Sequence, residues 1–113
     1  LMPAKSNIAF DDFVKMDIRT ATILEAERVP KTDKLLKISL DTGIDKRTVV
    51  SGIAEFFKPE ELSGRQVSVL VNLEPRKIRG VESQGMILMA EDEEGKLTFV
   101  SPKEGWPNGS VVR

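Results

Sequence analysis

The sequence contains no cysteine, no histidine and no tyrosine in 113 residues. The first two absences remove disulfides, a thiolate nucleophile, an imidazole base and the usual zinc ligand sets, leaving carboxylates, hydroxyls and Lys for any chemistry. A hydrolase on this chain would be reduced to a Ser/Lys pair, and paired carboxylates for acid/base work come with no pocket-forming residues. The default reading is therefore a non-catalytic binding module with no metal and no cofactor. No apolar run approaches the ~18 residues of a membrane span, and no charged-then-apolar leader opens the chain, so a soluble, intracellular protein with no membrane partner is expected. A large excess of one charge is missing too: 17 Lys and Arg stand against 18 Asp and Glu. Attraction to a polyanion would have to come from local clusters.

What is present suffices for one small core, with 40% hydrophobic and 31% charged residues, but leaves little to spare, so partial reliance on an oligomer is expected. Residues 1–9, with Leu1 ahead of Met2 and then Pro3, Lys5 and Ser6, have no apolar periodicity and read as a linker stub, and 10–113 read as the domain. Asn7 is positioned to cap a short helix whose Phe10, Phe13 and Val14 share one edge.

From Asp17 to Val29 β-branched residues dominate, with apolar residues on both parities, which predicts a long, curved or bulged strand. Leu36, Ile38 and Leu40 alternate with Lys37, Ser39 and Asp41, and Val49, Ser51 and Ile53 follow as a hairpin partner after Gly43. Pro59, Glu60, Glu61 and Leu62 predict one helical turn that stops at Gly64. Val67, Val69 and Val71 then give a fourth strand, and Met86, Leu88 and Ala90 a fifth. Three strands, a helical turn and two strands match a five-stranded Greek-key barrel of the oligonucleotide/oligosaccharide-binding (OB) type. An antiparallel sandwich competes, but gives no reason for the helical turn. Leu97 to Arg113 remain as an apolar extension.

Such barrels bind ligands across strands two and three, between the loop joining strands one and two and the loop joining strands four and five. The first loop holds Lys31 and Lys34 and is flanked by Lys37; the second, Glu74 to Gln84, holds Arg76, Lys77 and Arg79. Cations thus stand on both rims of one groove, opposed in part by Asp33, Glu74 and Glu82. Alternatively they are a solvated surface, as most loop lysines are. All five Phe and the single Trp lie outside both loops and both strands, so base stacking should be minor and phosphates and RNA shape should dominate. Met86 and Met89 read as core fillers, with the groove mouth as the other possibility for Met86. Glu91 to Glu94 before Gly95 lack the spaced ligands of a calcium loop and read as a polar hairpin turn.

Asp17-Ile18-Arg19, Asp33-Lys34-Leu35-Leu36-Lys37, Val50-Ser51-Gly52-Ile53-Ala54 and, above all, the run from Asn72 through Arg79-Gly80-Val81-Glu82-Ser83-Gln84-Gly85-Met86 resemble the tRNA-binding domain at the C-terminus of bacterial methionyl-tRNA synthetases. The resemblance covers residues 10 to 113. It implies a cytoplasmic OB-fold domain that holds tRNA non-specifically by its outer corner and raises the affinity of a synthetase, whose catalytic body would lie elsewhere. It further implies RNA contacts at Lys34, Asn72, Lys77, Arg79 and Ser83, with Lys31, Lys37, Arg76, Gln84 and Met86 in second rank, and a homodimer through the N-terminal helix and C-terminal strands. For Asn72 and Ser83 the alternative is a loop-bracing hydrogen bond. Stand-alone tRNA-binding dimers and a secretion chaperone share the fold; the chaperone typically loses the Arg79 to Met86 signature. Glu74 departs from the family's usual Lys and weakens the second loop's positive potential.

Overall fold

The computed structural model describes residues 2–113. Its barrel is built from β1 (Ile18–Arg28), β2 (Leu36–Asp41), β3 (Lys46–Ser51), β4 (Gln66–Leu70) and β7 (Met86–Ile87), adjacent in the order β3-β2-β1-β4-β7. All the pairings are antiparallel. Strand β1 serves both halves of the barrel: Ile18 to Thr22 pair with β4, and Thr22 to Arg28 pair with β2. A register shift between Ile23 and Glu25 lets the strand bend from one half to the other, which accounts for apolar residues on both its parities.

The period-two segments place their apolar side chains inward. Leu36, Ile38 and Leu40 of β2 are fully buried, as are Ile23, Val49, Val67 and Val69, and Leu62 after the 3-10 turn Pro59–Glu61 joins the same core. Each such side chain contributes about 1.5–3 kcal/mol relative to exposure. The barrel with a helical turn between its third and fourth strands is therefore the observed fold, and the sandwich reading falls.

Four details differ from the sequence reading. Helix α1 (Phe10–Val14) is present, but Ala9 occupies its N-cap position with no side-chain hydrogen bond, so Asn7 caps nothing. Strand β3 begins three residues earlier than Val49 and ends at Ser51, leaving Ile53 in the buried bend beyond. The predicted fifth strand is broken at Leu88: β7 pairs with β4, whereas β8 (Met89–Glu91) pairs with β9 (Leu97–Phe99). The second loop is itself a hairpin, β5 (Arg76–Ile78) against β6 (Val81–Ser83). The polar turn before Gly95 closes the β8–β9 hairpin, with Asp92 Oδ1 accepting from the N–H groups of Glu94 and Lys96.

The C-terminal extension straps the outside of the barrel. Gly109 N–H donates to Thr20 O at 2.8 Å, the Thr20 hydroxyl donates to Pro107 O at 2.7 Å, and Thr22 Oγ1 lies 2.8 Å from Asn108 Oδ1. The strap ends in β10 (Val111–Val112), paired with Ile18 and Arg19 at the start of β1.

Candidate nucleic-acid interface

The first loop turns tightly. Thr32 donates both its N–H and its hydroxyl to Val29 O, at 3.3 and 2.8 Å, and Lys31 takes the left-handed conformation with φ of 65°. Ala54 N–H donates to Lys34 O at 3.0 Å, which fixes Lys34 beside Gly52 and Ile53 at the end of β3. Lys31 and Lys34 are exposed, and among the described residues neither forms an ion pair, with Asp33 or otherwise. Lys37, outward on β2, is 3.8 Å from Glu27 in a loose, exposed pair that screens little.

The second loop is a two-stranded ribbon whose β6 end is anchored to β3 through Ser83. Arg79 and Gly80 form its tip, with φ of 51° and 81°, between the paired Ile78 and Val81. Positive φ at both central residues defines the mirror-image turn whose twist suits a hairpin and which prefers Asn or Gly first. An Arg there is held against its own backbone preference. Arg76, Lys77 and Arg79 are all exposed; Glu82 sits opposite Lys77 in register without an ion pair among the described residues.

Two depressions lie between the ribbon and the barrel wall. One, of about 370 Å³, has Lys37 and Thr48 on the barrel wall and Gly80, Val81 and Glu82 on the ribbon. The other, of about 330 Å³, runs from Gly52 and Ile53 to Arg76 and Ile78, with Leu73 and Met86 at its mouth. Met86 is 55% exposed, so it is no core filler; Met89 alone of the two packs against the core. Side-chain parity explains it, since the two-residue β7 buries Ile87 and turns Met86 outward.

The three uncharged polar candidates are committed to the fold. Ser83 is only 6% exposed, its Oγ accepting from Val50 N–H at 2.9 Å and donating to Gly85 O at 3.3 Å. Gln84 pairs with Thr48 twice: its backbone N–H donates to Thr48 O at 2.8 Å, and its Oε1 accepts from Thr48 N–H at 3.0 Å. Together they close the barrel between β3 and β7, where no ladder forms. Asn72 accepts from Asp17 N–H at 2.8 Å and donates to Lys15 O at 2.6 Å, tying the loop's first residue to the segment before β1.

Arg47 was not singled out by sequence reasoning. It lies on β3 with its side chain 14% exposed, and its guanidinium reaches Asp45, Val71 O and Gln84 O. Hydrogen bonds from Arg47, and then from Thr42, hold the Asp45 carboxyl below the usual carboxylate range. The available sequence signal was Asp45-x-Arg47, an acid and a base two apart and so on one face of a strand.

A family model described as "Putative tRNA binding domain" matches residues 18–111. The methionine–tRNA ligase of Flavobacterium johnsoniae is 64% identical over 110 residues, and that of Parabacteroides distasonis 53% over 111, covering 97% and 98% of this chain. The chain spans only 16% of the length of each. Among solved structures, a MetRS related protein from Pyrococcus horikoshii superposes with a TM-score of 0.91 at 39% identity, covering 96% of this chain and all of that one. The chaperone CsaA from Bacillus anthracis superposes at 0.86 with 27% identity, over 96% of this chain and all of that one.

Proposed function

The chain belongs to the tRNA-binding domain family, and on that premise we propose that it holds tRNA by phosphate and shape, without base readout, as a C-terminal domain that raises the tRNA affinity of a cytoplasmic methionine–tRNA ligase. The observation that carries this reading is that two separate loops flanking the β3 face carry exposed cations with no ion pair among the described residues, Lys34 on one and Arg76, Lys77 and Arg79 on the other, although Glu74 and Glu82 line the depressions between them. Lys31 and Lys37 belong with the first loop. No Phe or Trp lines either depression, so stacking contributes little, and the outward Met86 and Leu73 offer only an apolar contact. Asn72, Ser83 and Gln84 support binding by holding the ribbon in place.

Phosphate binding releases counterions, so log affinity falls linearly with log salt and flattens by about 0.7–0.9 for each contact removed. The test is the affinity of the chain and its Lys34→Ala, Lys77→Ala and Arg79→Ala variants for two unrelated tRNAs from low to moderate salt. The expected result is equal weakening for both tRNAs with a shallower slope for each variant. Unchanged affinity in all three would reject the reading, and loss of tRNA discrimination in Arg79→Ala would show base readout instead. An unfolded polypeptide as competitor tests the chaperone-like alternative, which the fold of CsaA and the apolar mouth at Leu73 and Met86 favour; displacement insensitive to salt would support it.

We further propose a homodimer. Helix α1 buries none of its residues, although a helix of five residues has no stability of its own in water. Its Phe10, Phe13 and Val14 are exposed, as is Val111 of β10, which pairs with the start of β1, the strand that α1 precedes in sequence. One apolar face is thereby left for a second copy.

A further inference from the structure

The ribbon that carries Arg76, Lys77 and Arg79 makes ladder pairs only with itself and touches the barrel on one side, through the Ser83 hydroxyl on Val50 N–H, and a two-stranded hairpin is at best marginally stable in water. Beyond the braces at Asn72, Ser83 and Gln84, its direction depends on where it leaves and rejoins the barrel, at Val71 and Gln84. Those two carbonyls converge on one side chain. Nη1 of Arg47 donates to Val71 O at 2.7 Å and to Gln84 O at 3.0 Å, while Nε and Nη2 donate to the two carboxylate oxygens of Asp45 at 3.0 and 2.6 Å. Among the described residues no other side chain bonds to both ends of the ribbon segment. Four of the five guanidinium N–H groups are thus used, and the planar fork allows no rotation without losing a partner.

We propose that Arg47, locked by Asp45, is the positioning residue that aims the cationic ribbon at tRNA. This rests on the tRNA-binding reading above. With its guanidinium turned inward onto two carbonyls and a carboxylate, Arg47 is not itself a phosphate contact, and its influence passes through the ribbon. Lysine cannot substitute. A single ammonium lacks the geometry to span both carbonyls and the carboxylate together, so the charge-conserving change should still release the ribbon.

The test compares Arg47→Lys, Arg47→Met and Asp45→Asn with Lys77→Ala, measuring tRNA affinity across salt and amide hydrogen exchange along the ribbon. If a released ribbon spends about a tenth of its time correctly aimed, affinity falls about tenfold. The expected result is that loss in Arg47→Lys and Arg47→Met, with the salt slope of the unaltered protein and faster exchange at residues 76–83. Asp45→Asn, which leaves Arg47 in place, should show a smaller loss in the same direction and keeps the question answerable if the Arg47 variants unfold. Lower thermal stability with unchanged affinity of the folded protein would overturn the proposal, because Arg47 would then only support the barrel. A salt slope reduced by nearly one in Arg47→Met would also overturn it, by making Arg47 a direct contact. If Lys34→Ala, Lys77→Ala and Arg79→Ala are all silent as well, the tRNA-binding reading itself fails and takes this one with it.

Discussion

The hydroxyl of Ser83 accepts a hydrogen bond from the backbone N–H of Val50 at 2.9 Å, so a side chain stands in for the main-chain acceptor that a complete β3–β7 ladder would provide. Removing it leaves a donor unpaired on the barrel seam, which costs about 1–3 kcal/mol. Ser83→Ala should lower the urea midpoint accordingly with an unchanged m-value. A midpoint equal to that of the unaltered protein would mean that solvent reaches the seam and replaces the hydroxyl.

Gly85 and Gly80 both have positive φ yet should respond differently to alanine. At Gly85, with φ of 145°, a Cβ would lie 2.7 Å from Leu70 O, the strand against which Met86 and Ile87 must register. At Gly80, with φ of 81°, nothing lies within 4 Å of the added carbon. Gly85→Ala should therefore cost at least about 3 kcal/mol, combining backbone strain with a clash, and Gly80→Ala only about 1 kcal/mol of strain. Chemical denaturation of both variants checks the ratio; equal losses would contradict the close approach at Gly85.

The barrel was legible because Leu36, Ile38 and Leu40, or Val67 and Val69, carry their burial in a period of two that survives any tertiary context. The break at Leu88 was not, because Met86, Leu88 and Ala90 keep that period while the backbone changes partner from β4 to β9, a choice made by the neighbours. Both cationic loops could be placed from the strand order. Whether Asn72 and Ser83 face outward or brace the fold depends on contacts with Asp17 and Val50, 55 and 33 residues away in sequence, and no local pattern encodes that. Arg47 was hidden for the same reason, since its partners at Val71 and Gln84 are backbone carbonyls, which leave no trace in side-chain identity.

Arg79 should show stability and binding moving in opposite directions. Its φ of 51° is one that Asn adopts more easily than Arg. Arg79→Asn should relieve up to about 1 kcal/mol of strain and raise the melting temperature by about 4 °C. The same change removes a charge from the ribbon tip, so the tRNA salt slope should flatten by about 0.7–0.9. Thermal melts and binding titrations on one preparation decide it, and a variant that is both more stable and equally tight would remove Arg79 from the interface.

Acid should expose the contribution of Asp45. Its carboxyl titrates below the ordinary 3.8 because Arg47, and secondarily Thr42, hydrogen-bond the ionised form. A folded value below the unfolded one means stability that is present above pH of about 3.8 and lost as pH falls through the lower folded value. The side chain is 45% exposed, so solvent screens part of the effect. Comparing the unaltered protein with Asp45→Asn, the stability difference should be constant near neutral pH and close below the ordinary carboxylate range. A difference that widens in acid would have the wrong sign for this pair.

The assembly prediction follows from symmetry. Phe10, 73% exposed, and Phe13 lie with ring centroids 6.3 Å apart on a helix that buries nothing within its own chain. In a two-fold dimer each side chain contributes once from each copy, and because Phe10 is 73% and Phe13 37% exposed, covering what remains of both in both copies is worth only about 3–7 kcal/mol before the cost of association. A dimer at micromolar concentration therefore also needs Val14 and Val111 covered, and truncating both rings should abolish it. Sedimentation equilibrium of the unaltered protein should give twice 12.6 kDa, and Phe10→Ser with Phe13→Ser should give 12.6 kDa with an unchanged β spectrum, since neither residue belongs to the barrel core. A monomeric unaltered protein would leave α1 without a partner and refute the dimer, whereas a double variant that still dimerises would move the interface to the β10 edge around Val111.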